Sequence, residues 1–140
     1  MSRVFWDTNL FIYLFEDYGA LSEKVAGLRK RMLERNDHLL TSTLTLGEIL
    51  VKPVEKKDAG MCAKYERAIA ATATTVAFDI EAAKIYAELR TNRSLRAPDA
   101  IQLACAGSAA TDLFITNDER LQGKRAPGIQ FIVSLERVPI

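Results

Sequence analysis

The chain has 140 residues, 49% of them hydrophobic, and a formal net charge of +1 at pH 7. A chain of this size and apolar content is expected to form one domain, residues 1–140, whose core needs no disulfide or metal to hold it. The near-zero charge gives no compositional signal for nucleic-acid binding, and no apolar run approaches the roughly 20 residues of a membrane-spanning helix.

The first half of the sequence alternates apolar runs with stripes of helical period. In chain order it predicts a strand at 4–6, helices at 9–15 and 21–35, a strand at 38–43, and helices at 44–53 and 58–73. Gly19 separates the first two helices. Pro53 is expected to stop the helix that follows the second strand, because proline lacks the N–H that a helix needs.

The second half continues this alternation. It predicts a strand at 74–79, helices at 80–91 and 95–110, a strand at 112–116, a helical turn at 117–123 and a last strand at 129–133. Pro98 falls in the first turn of its helix, where proline is favoured. Strands that alternate with helices predict an α/β fold with a parallel five-stranded sheet and helices on both faces, and we expect the first strand to be central.

Acidic residues stand where predicted strands end or helices begin. Asp7 directly follows the first strand, and Glu48 lies on the helix after the second. Asp99 opens a helix, and Asp118 follows the fourth strand. In open α/β sheets, ligands bind outside the carboxyl ends of the strands. The four carboxylates are therefore candidates for one shared cleft.

Taken singly, each acid also has a purely structural interpretation. Asp7 and Asp118 are placed to cap helices, and Asp99 lies in a first helical turn, where the helix dipole favours acids. Glu48 can simply point outward from its helix. Taken together, converging carboxylates repel each other, and hard divalent cations such as Mg²⁺ or Mn²⁺, which prefer oxygen ligands, would hold them.

Other residue types offer no competing chemistry. The only histidine, His38, precedes a strand and is interpreted as a boundary residue without a role, which argues against a Ser-His-Asp set. The two cysteines, Cys62 and Cys105, lack the spacing of metal ligands and are interpreted as reduced thiols. Since the sequence begins directly with a strand pattern, we expect a cytoplasmic protein.

Four segments carry a resemblance to a known family. FWDTNLFIY, STLTLGEIL, LRAPDAIQLACA and LFITNDERL resemble, in order and spacing, the four motifs of PIN-domain nucleases. The first and third are similar to those of the VapC toxins of toxin–antitoxin pairs. The resemblance spans nearly the whole chain and implies an endoribonuclease that depends on Mg²⁺ or Mn²⁺.

The resemblance also implies roles for single residues. The implied catalytic and metal-binding residues are Asp7, Glu48, Asp99 and Asp118, and the implied supporting residues are Thr8, Asn9 and Thr116. The supporting residues would orient the carboxylates by donating hydrogen bonds.

Basic residues near these acids are candidates for contact with RNA. Arg93 and Arg96 lead into Asp99, and Lys52 closely follows Glu48. Each of the three cations is therefore a candidate to hold a phosphate that flanks the scissile one.

Three classes of function stay open on the sequence. The first, implied by the VapC resemblance, is a homodimeric toxin ribonuclease that acts on RNA and whose partner is a cognate antitoxin protein. The second is a PIN-domain nuclease that processes RNA or cuts structured DNA, and the third is a non-catalytic binding protein that kept the fold. The short chain favours the first class over the second, and the presence of all four acids argues against the third.

Overall fold

The computed structural model describes residues 1–140, in which five strands and six α-helices alternate. The strands are β1 (Arg3–Trp6), β2 (His38–Ser42), β3 (Thr74–Val76), β4 (Thr111–Thr116) and β5 (Ile129–Ser134). The helices are α1 (Thr8–Phe15), α2 (Ala20–Arg35), α3 (Thr43–Glu55), α4 (Ala59–Thr72), α5 (Ile80–Leu89) and α6 (Ala97–Ser108). Two short 3₁₀-helices span Glu119–Leu121 and Leu135–Arg137. None of the helices combines the length and the apolar character needed to cross a membrane.

All five strands run parallel in one sheet, in the order β3-β2-β1-β4-β5. β1 is central, and its Val4 is in register with Leu39 of β2 on one side and Leu113 of β4 on the other. The predicted α/β fold, the parallel five-stranded sheet and the central first strand are confirmed. Because the strands share one direction, their carboxyl ends meet at one edge of the sheet.

Side chains of β1 alternate between two hydrophobic cores, one on each face of the sheet. Val4 and Trp6 point into the core shared with α1, α2, α3 and α4, whereas Phe5 points into the core shared with α5 and α6. All three are fully buried, and Phe5 stacks on Phe114 of β4 with ring centroids 5.2 Å apart. Burial on both faces holds the backbone rigid at the point where Asp7 follows β1.

The third helix ends two residues beyond Pro53, close to its predicted end. α3 continues through Pro53 to Glu55, and Pro53 is buried. A proline this close to a helix end removes one of the last helical hydrogen bonds, and burial of its ring offsets that loss. β3 is shorter than predicted, because it ends at Val76.

His38 has a structural role that the sequence did not indicate. Its Nδ1 lies 3.3 Å from Nη1 of Arg3, and its Nε2 lies 2.9 Å from Oγ1 of Thr74. Since a guanidinium can only donate, Nδ1 must accept and Nε2 must carry the proton. His38 therefore connects the first residues of three neighbouring strands, at the edge of the sheet opposite the acids.

Candidate active site

A polar cleft opens at the carboxyl edge of the sheet. It is lined by Asp7, Thr8, Asn9, Ile12, Glu48, Arg96, Pro98, Asp99, Gln102 and Asp118. The residue after β1 supplies the first acid, α3 the second, α6 the third and the turn after β4 the fourth. Four segments that are far apart in sequence thus bring their acids to one cleft.

Only one of the two carboxylate oxygens of Asp7 accepts a hydrogen bond. Oδ2 accepts a hydrogen bond from the Thr116 hydroxyl, whereas Oδ1 is buried without a hydrogen-bond partner. Asp7 stands at the N-cap position of α1 but makes no capping hydrogen bond. Burial raises the pKa of Asp7 to about 7, and the opposing effects of Thr116 and the nearby N–H groups of Asn9 and Leu10 do not outweigh it. Asp7 therefore changes its charge near neutral pH.

A chain of hydrogen bonds orients Glu48. Thr8 Oγ1 donates to Glu48 Oε1 at 2.5 Å and accepts from Gln102 Nε2 at 3.1 Å. Gln102 Nε2 also donates to Thr45 Oγ1 at 2.9 Å, and Gln102 Oε1 accepts from Ser42 Oγ at 2.5 Å. Because Ser42 holds the Gln102 carbonyl oxygen, the amide nitrogen faces Thr8, and the Thr8 hydroxyl is left to donate to Glu48.

Gln102, Thr45 and Ser42 are supporting residues that the sequence analysis did not assign. Gln102 is only 5% exposed, although it carries an amide. Its signal in the sequence is a polar residue in an otherwise apolar helix, three positions after Asp99 and so on nearly the same face. Ser42 and Thr45 gave no such signal, because serine and threonine are common where strands end and helices begin.

Two arginines pair with the other two acids. Arg120 Nε and Nη2 lie 2.9 and 2.5 Å from Oδ1 and Oδ2 of Asp118, and the Arg120 backbone N–H donates to Oδ1 at 3.0 Å. Arg96 Nε lies 3.5 Å from Asp99 Oδ2. Hydrogen bonding from Arg120 lowers the pKa of Asp118, while the charge of Asp118 adds to the rise in the pKa of Asp7. The sequence gave no signal for Arg120, since an arginine in an exposed turn is ordinary.

The remaining candidates from the sequence lie at different distances from the acids. Asn9 lines the cleft with an exposed side chain. Lys52, one turn after Glu48, lines a neighbouring groove between α1, α3 and α4. Arg93 is exposed on the connection between α5 and α6, outside both the groove and the cleft. Of the three basic candidates for RNA contact, Arg96 is the one that lines the cleft.

The donor set of the cleft suits a hard divalent cation. Its lining offers carboxylate and hydroxyl oxygens and contains neither histidine nor cysteine. The buried, unpartnered Oδ1 of Asp7 is an acceptor that a ligand would satisfy. No three acidic side chains are grouped tightly enough, as they stand, to hold one ion. Arg120 occupies both oxygens of Asp118, whereas Asp99 makes a single, longer contact with Arg96.

The sequence matches the family model of the PIN domain over residues 4–126. This match covers most of the chain and includes every acid of the cleft. The chain therefore belongs to the PIN-domain family. Among curated proteins, none matches the chain significantly.

Solved structures of similar fold include three VapBC complexes. VapBC2 from Rickettsia felis, bound to a DNA fragment from its promoter, matches with a TM-score of 0.74 at 15% identity over 94% of this chain and 97% of that one. DNA-bound VapBC from Salmonella typhimurium matches with a TM-score of 0.65 at 19% identity over 96% and 99%. VapBC-5 from Mycobacterium tuberculosis, of the VapBC family of toxin–antitoxin systems, matches with a TM-score of 0.59 at 21% identity over 94% and 98%. At these identities the likeness establishes the shared fold.

Proposed function

We propose that this PIN domain is a metal-dependent endoribonuclease and the toxin of a VapBC-type toxin–antitoxin pair, acting in the cytoplasm. The observation that carries the proposal is the cleft itself, in which four carboxylates from distant segments converge and one buried oxygen of Asp7 has no partner. Acids that only stabilise the fold would be expected to have a hydrogen-bond partner for every buried oxygen. Acids that bind a metal would instead leave an oxygen free to coordinate the ion.

The residues of the cleft have distinct tasks in phosphodiester hydrolysis. Asp7, Glu48, Asp99 and Asp118 are the proposed ligands of Mg²⁺ or Mn²⁺. A bound divalent cation would supply a water of lowered pKa and shield the negative charge of the phosphate oxygens. Thr116 holds one oxygen of Asp7, and Thr8 holds one oxygen of Glu48, so the two carboxylates keep their orientation.

Basic side chains around the cleft are proposed to hold the RNA backbone. Arg96 lines the cleft and stays 62% exposed in its side chain, so it is accessible to a phosphate beside the scissile one. Arg93 and Lys52 lie farther out, on the connection before α6 and on α3, and would contact more distant phosphates.

The proposed protein partner is inferred from solved structures of similar fold. VapBC complexes share the fold over nearly the whole length of both chains, which supports a cognate antitoxin as the partner of this chain. The proposed assembly of the toxin is a homodimer.

The test of the proposed activity is cleavage of a single-stranded RNA by the purified protein. We expect cleavage in Mn²⁺ or Mg²⁺ and none in excess EDTA. A DNA oligonucleotide of the same sequence should not be cleaved. Asp7→Asn should lower the rate at least about 100-fold, more than the loss typical of residues that only support a metal ligand. Robust cleavage in EDTA would contradict the metal assignment, and failure to cleave in any metal would favour a non-catalytic PIN domain.

The toxin assignment has a separate test in cells. Expression of the chain alone in a bacterium should slow growth, and Asp7→Asn should restore it at equal protein level. A protein that cleaves RNA in the purified system but leaves growth unchanged would belong with the RNA-processing nucleases. If the parent and Asp7→Asn were equally toxic, growth inhibition would not depend on the nuclease activity.

A further inference from the structure

We propose that Arg120 is a phosphate-binding residue that Asp118 holds in the metal-free protein and releases to the RNA when a divalent cation binds. This inference rests on the proposed nuclease function. It assigns to Arg120 two linked properties: it competes with the cation for Asp118, and it binds the substrate once it has been displaced.

The pairing between Arg120 and Asp118 occupies the whole carboxylate. Nε and Nη2 of the guanidinium meet Oδ1 and Oδ2 separately, at 2.9 and 2.5 Å, in the two-pronged geometry that arginine forms with carboxylates and phosphates. Oδ1 also accepts the Arg120 backbone N–H at 3.0 Å. A cation that uses either oxygen of Asp118 must therefore approach a guanidinium that is already bound there.

The guanidinium of Arg120 is exposed, but it is bound to Asp118, which lines the cleft. Asp99, on α6, adds to the rise in the pKa of Arg120, and Arg96 adds to the fall in the pKa of Asp118, so the four charges act on one another. Arg96 is itself 3.5 Å from Asp99. Two positive side chains thus stand beside two of the four proposed ligands.

Binding of a cation makes this arrangement unfavourable. The ion and the guanidinium carry charges of the same sign and would share one carboxylate, so they repel. The Arg120 side chain is 59% exposed and has no hydrogen-bond partner other than Asp118, so it can swing away without disturbing either core. The Arg120 backbone lies in the 3₁₀-helix Glu119–Leu121, and the movement needs only its side-chain torsions to change.

The nearest new anion for a displaced Arg120 is the substrate. A phosphate that enters the cleft next to Asp118 offers two oxygens at the spacing that the guanidinium fork has just left. Arg120 would therefore exchange a carboxylate for a phosphate of the same geometry. Arg96, which makes a single longer contact with Asp99, lacks this two-pronged pairing.

A purely structural role for the pair predicts different behaviour. Asp118 is the N-cap residue of the 3₁₀-helix, and Arg120 is its neighbour in the same turn. If the pair only stabilised this turn, removing the guanidinium would lower the melting temperature and leave the affinities for metal and RNA unchanged.

The experiment measures Mn²⁺ affinity without RNA and then the kinetics of RNA cleavage at saturating Mn²⁺. Arg120→Ala is compared with the parent and with Arg67→Ala, which removes the same charge from an exposed position on α4 away from the cleft. Free Mn²⁺ is followed by electron paramagnetic resonance. We expect Arg120→Ala to bind Mn²⁺ about three- to tenfold more tightly and to raise KM for the RNA at least severalfold, while Arg67→Ala matches the parent in both.

A second variant separates charge from shape. Arg120→Lys keeps the positive charge but not the fork, so it should bind Mn²⁺ close to the parent value and still show a raised KM. In an Asp118→Asn background, replacing Arg120 should no longer change the Mn²⁺ affinity, because the shared carboxylate is gone. Melting curves of each variant establish that it is folded.

The outcomes distinguish this inference from the function on which it rests. If Arg120→Ala leaves either the Mn²⁺ affinity or KM at the parent value, Arg120 is not the exchanging residue that we propose. A parent protein that neither binds Mn²⁺ nor cleaves RNA would instead overturn the proposed nuclease.

Discussion

At the scale of the single residue, Asp7 stands at the start of a helix, in the position of a capping residue. It has the extended backbone of an N-cap residue, with φ −75° and ψ 176°, yet its side chain accepts no capping hydrogen bond from α1. Asp58, at the start of α4, does accept the N–H of Met61 at 3.0 Å. Asp58 therefore caps its helix, whereas Asp7 occupies a capping position without acting as a cap.

Asp7 should make the metal-free protein less stable at high pH. Its pKa is raised from 3.8 to about 7 in the folded chain, so between these values the folded state binds more protons than the unfolded state. The free energy of unfolding therefore falls as pH rises from about 4 to 7 and stays low above 7. The shift corresponds to an upper limit of about 4 kcal/mol.

The variant Asp7→Asn removes this penalty, so in EDTA it should melt at a higher temperature than the parent at pH 8 and at nearly the same temperature at pH 4. Asp58→Asn is the matched control, because asparagine caps helices as well as aspartate does, and its effect should be small at both values. Thermal melting at the two pH values is the measurement. A lower melting temperature for Asp7→Asn at pH 8 would mean that the carboxylate stabilises the fold.

At the scale of the element, α6 is fixed by a close approach at its far end. A Cβ added to Gly107 would lie 2.2 Å from the Pro127 carbonyl oxygen, and one added to Gly128 would lie 2.2 Å from the Gly107 carbonyl oxygen. The helix and the loop before β5 therefore touch backbone to backbone, which glycine permits. This contact sets the position of α6, which brings Asp99 and Gln102 into the cleft.

Gly107→Ala should accordingly destabilise the protein by about 1–3 kcal/mol, because the loop or the helix must shift to admit the methyl group. Gly47→Ala is the matched control on α3, where an added Cβ meets nothing within 4 Å. That change should raise the free energy of unfolding by about 0.5–1 kcal/mol, as expected for alanine in a helix. Urea denaturation measures both variants. A Gly107→Ala protein that is as stable as the parent, or more stable, would refute the close-contact argument.

At the scale of the whole molecule, apolar side chains stay uncovered on α3. Val51 and Val54 are 50% and 62% exposed and lie three residues apart, on one face of the helix. A two-fold contact between copies would bury the same face on both. We therefore expect a homodimer at micromolar concentration.

Light scattering should give about twice the chain mass of 15.6 kDa for the purified protein. Val54→Glu should reduce the mass to that of one chain, because a charge on this face opposes its burial. Lys64→Gln, at an exposed position on α4, lowers the net charge by the same single unit and serves as the control. A single-chain mass for the parent would refute the homodimer. If Val54→Glu remained a dimer, the interface would not include this face of α3.

The sequence by itself determined the order of the elements and the edge at which the acids lie. Short continuous apolar runs and stripes of helical period are local signals, and burial of β1 on both faces follows from the run Val4–Trp6. Once the strands are parallel, any acid that follows a strand must stand at the same edge of the sheet. Local pattern and strand direction therefore place Asp7 and Asp118 at one edge, and the pairing of β1 with β4 brings them into one cleft.

Only the tertiary structure decided what each acid meets. Gln102 reaches Thr8 across 94 positions of sequence, and no periodic pattern encodes a contact of that span. Burial also overrode the rule that proline ends a helix at Pro53. Even the local pair of Asp118 and Arg120 could not be foreseen, since an exposed arginine can face solvent, a neighbour or the cleft. The three-dimensional arrangement of the turn after β4 selects among these partners, because it fixes which oxygens the guanidinium can reach.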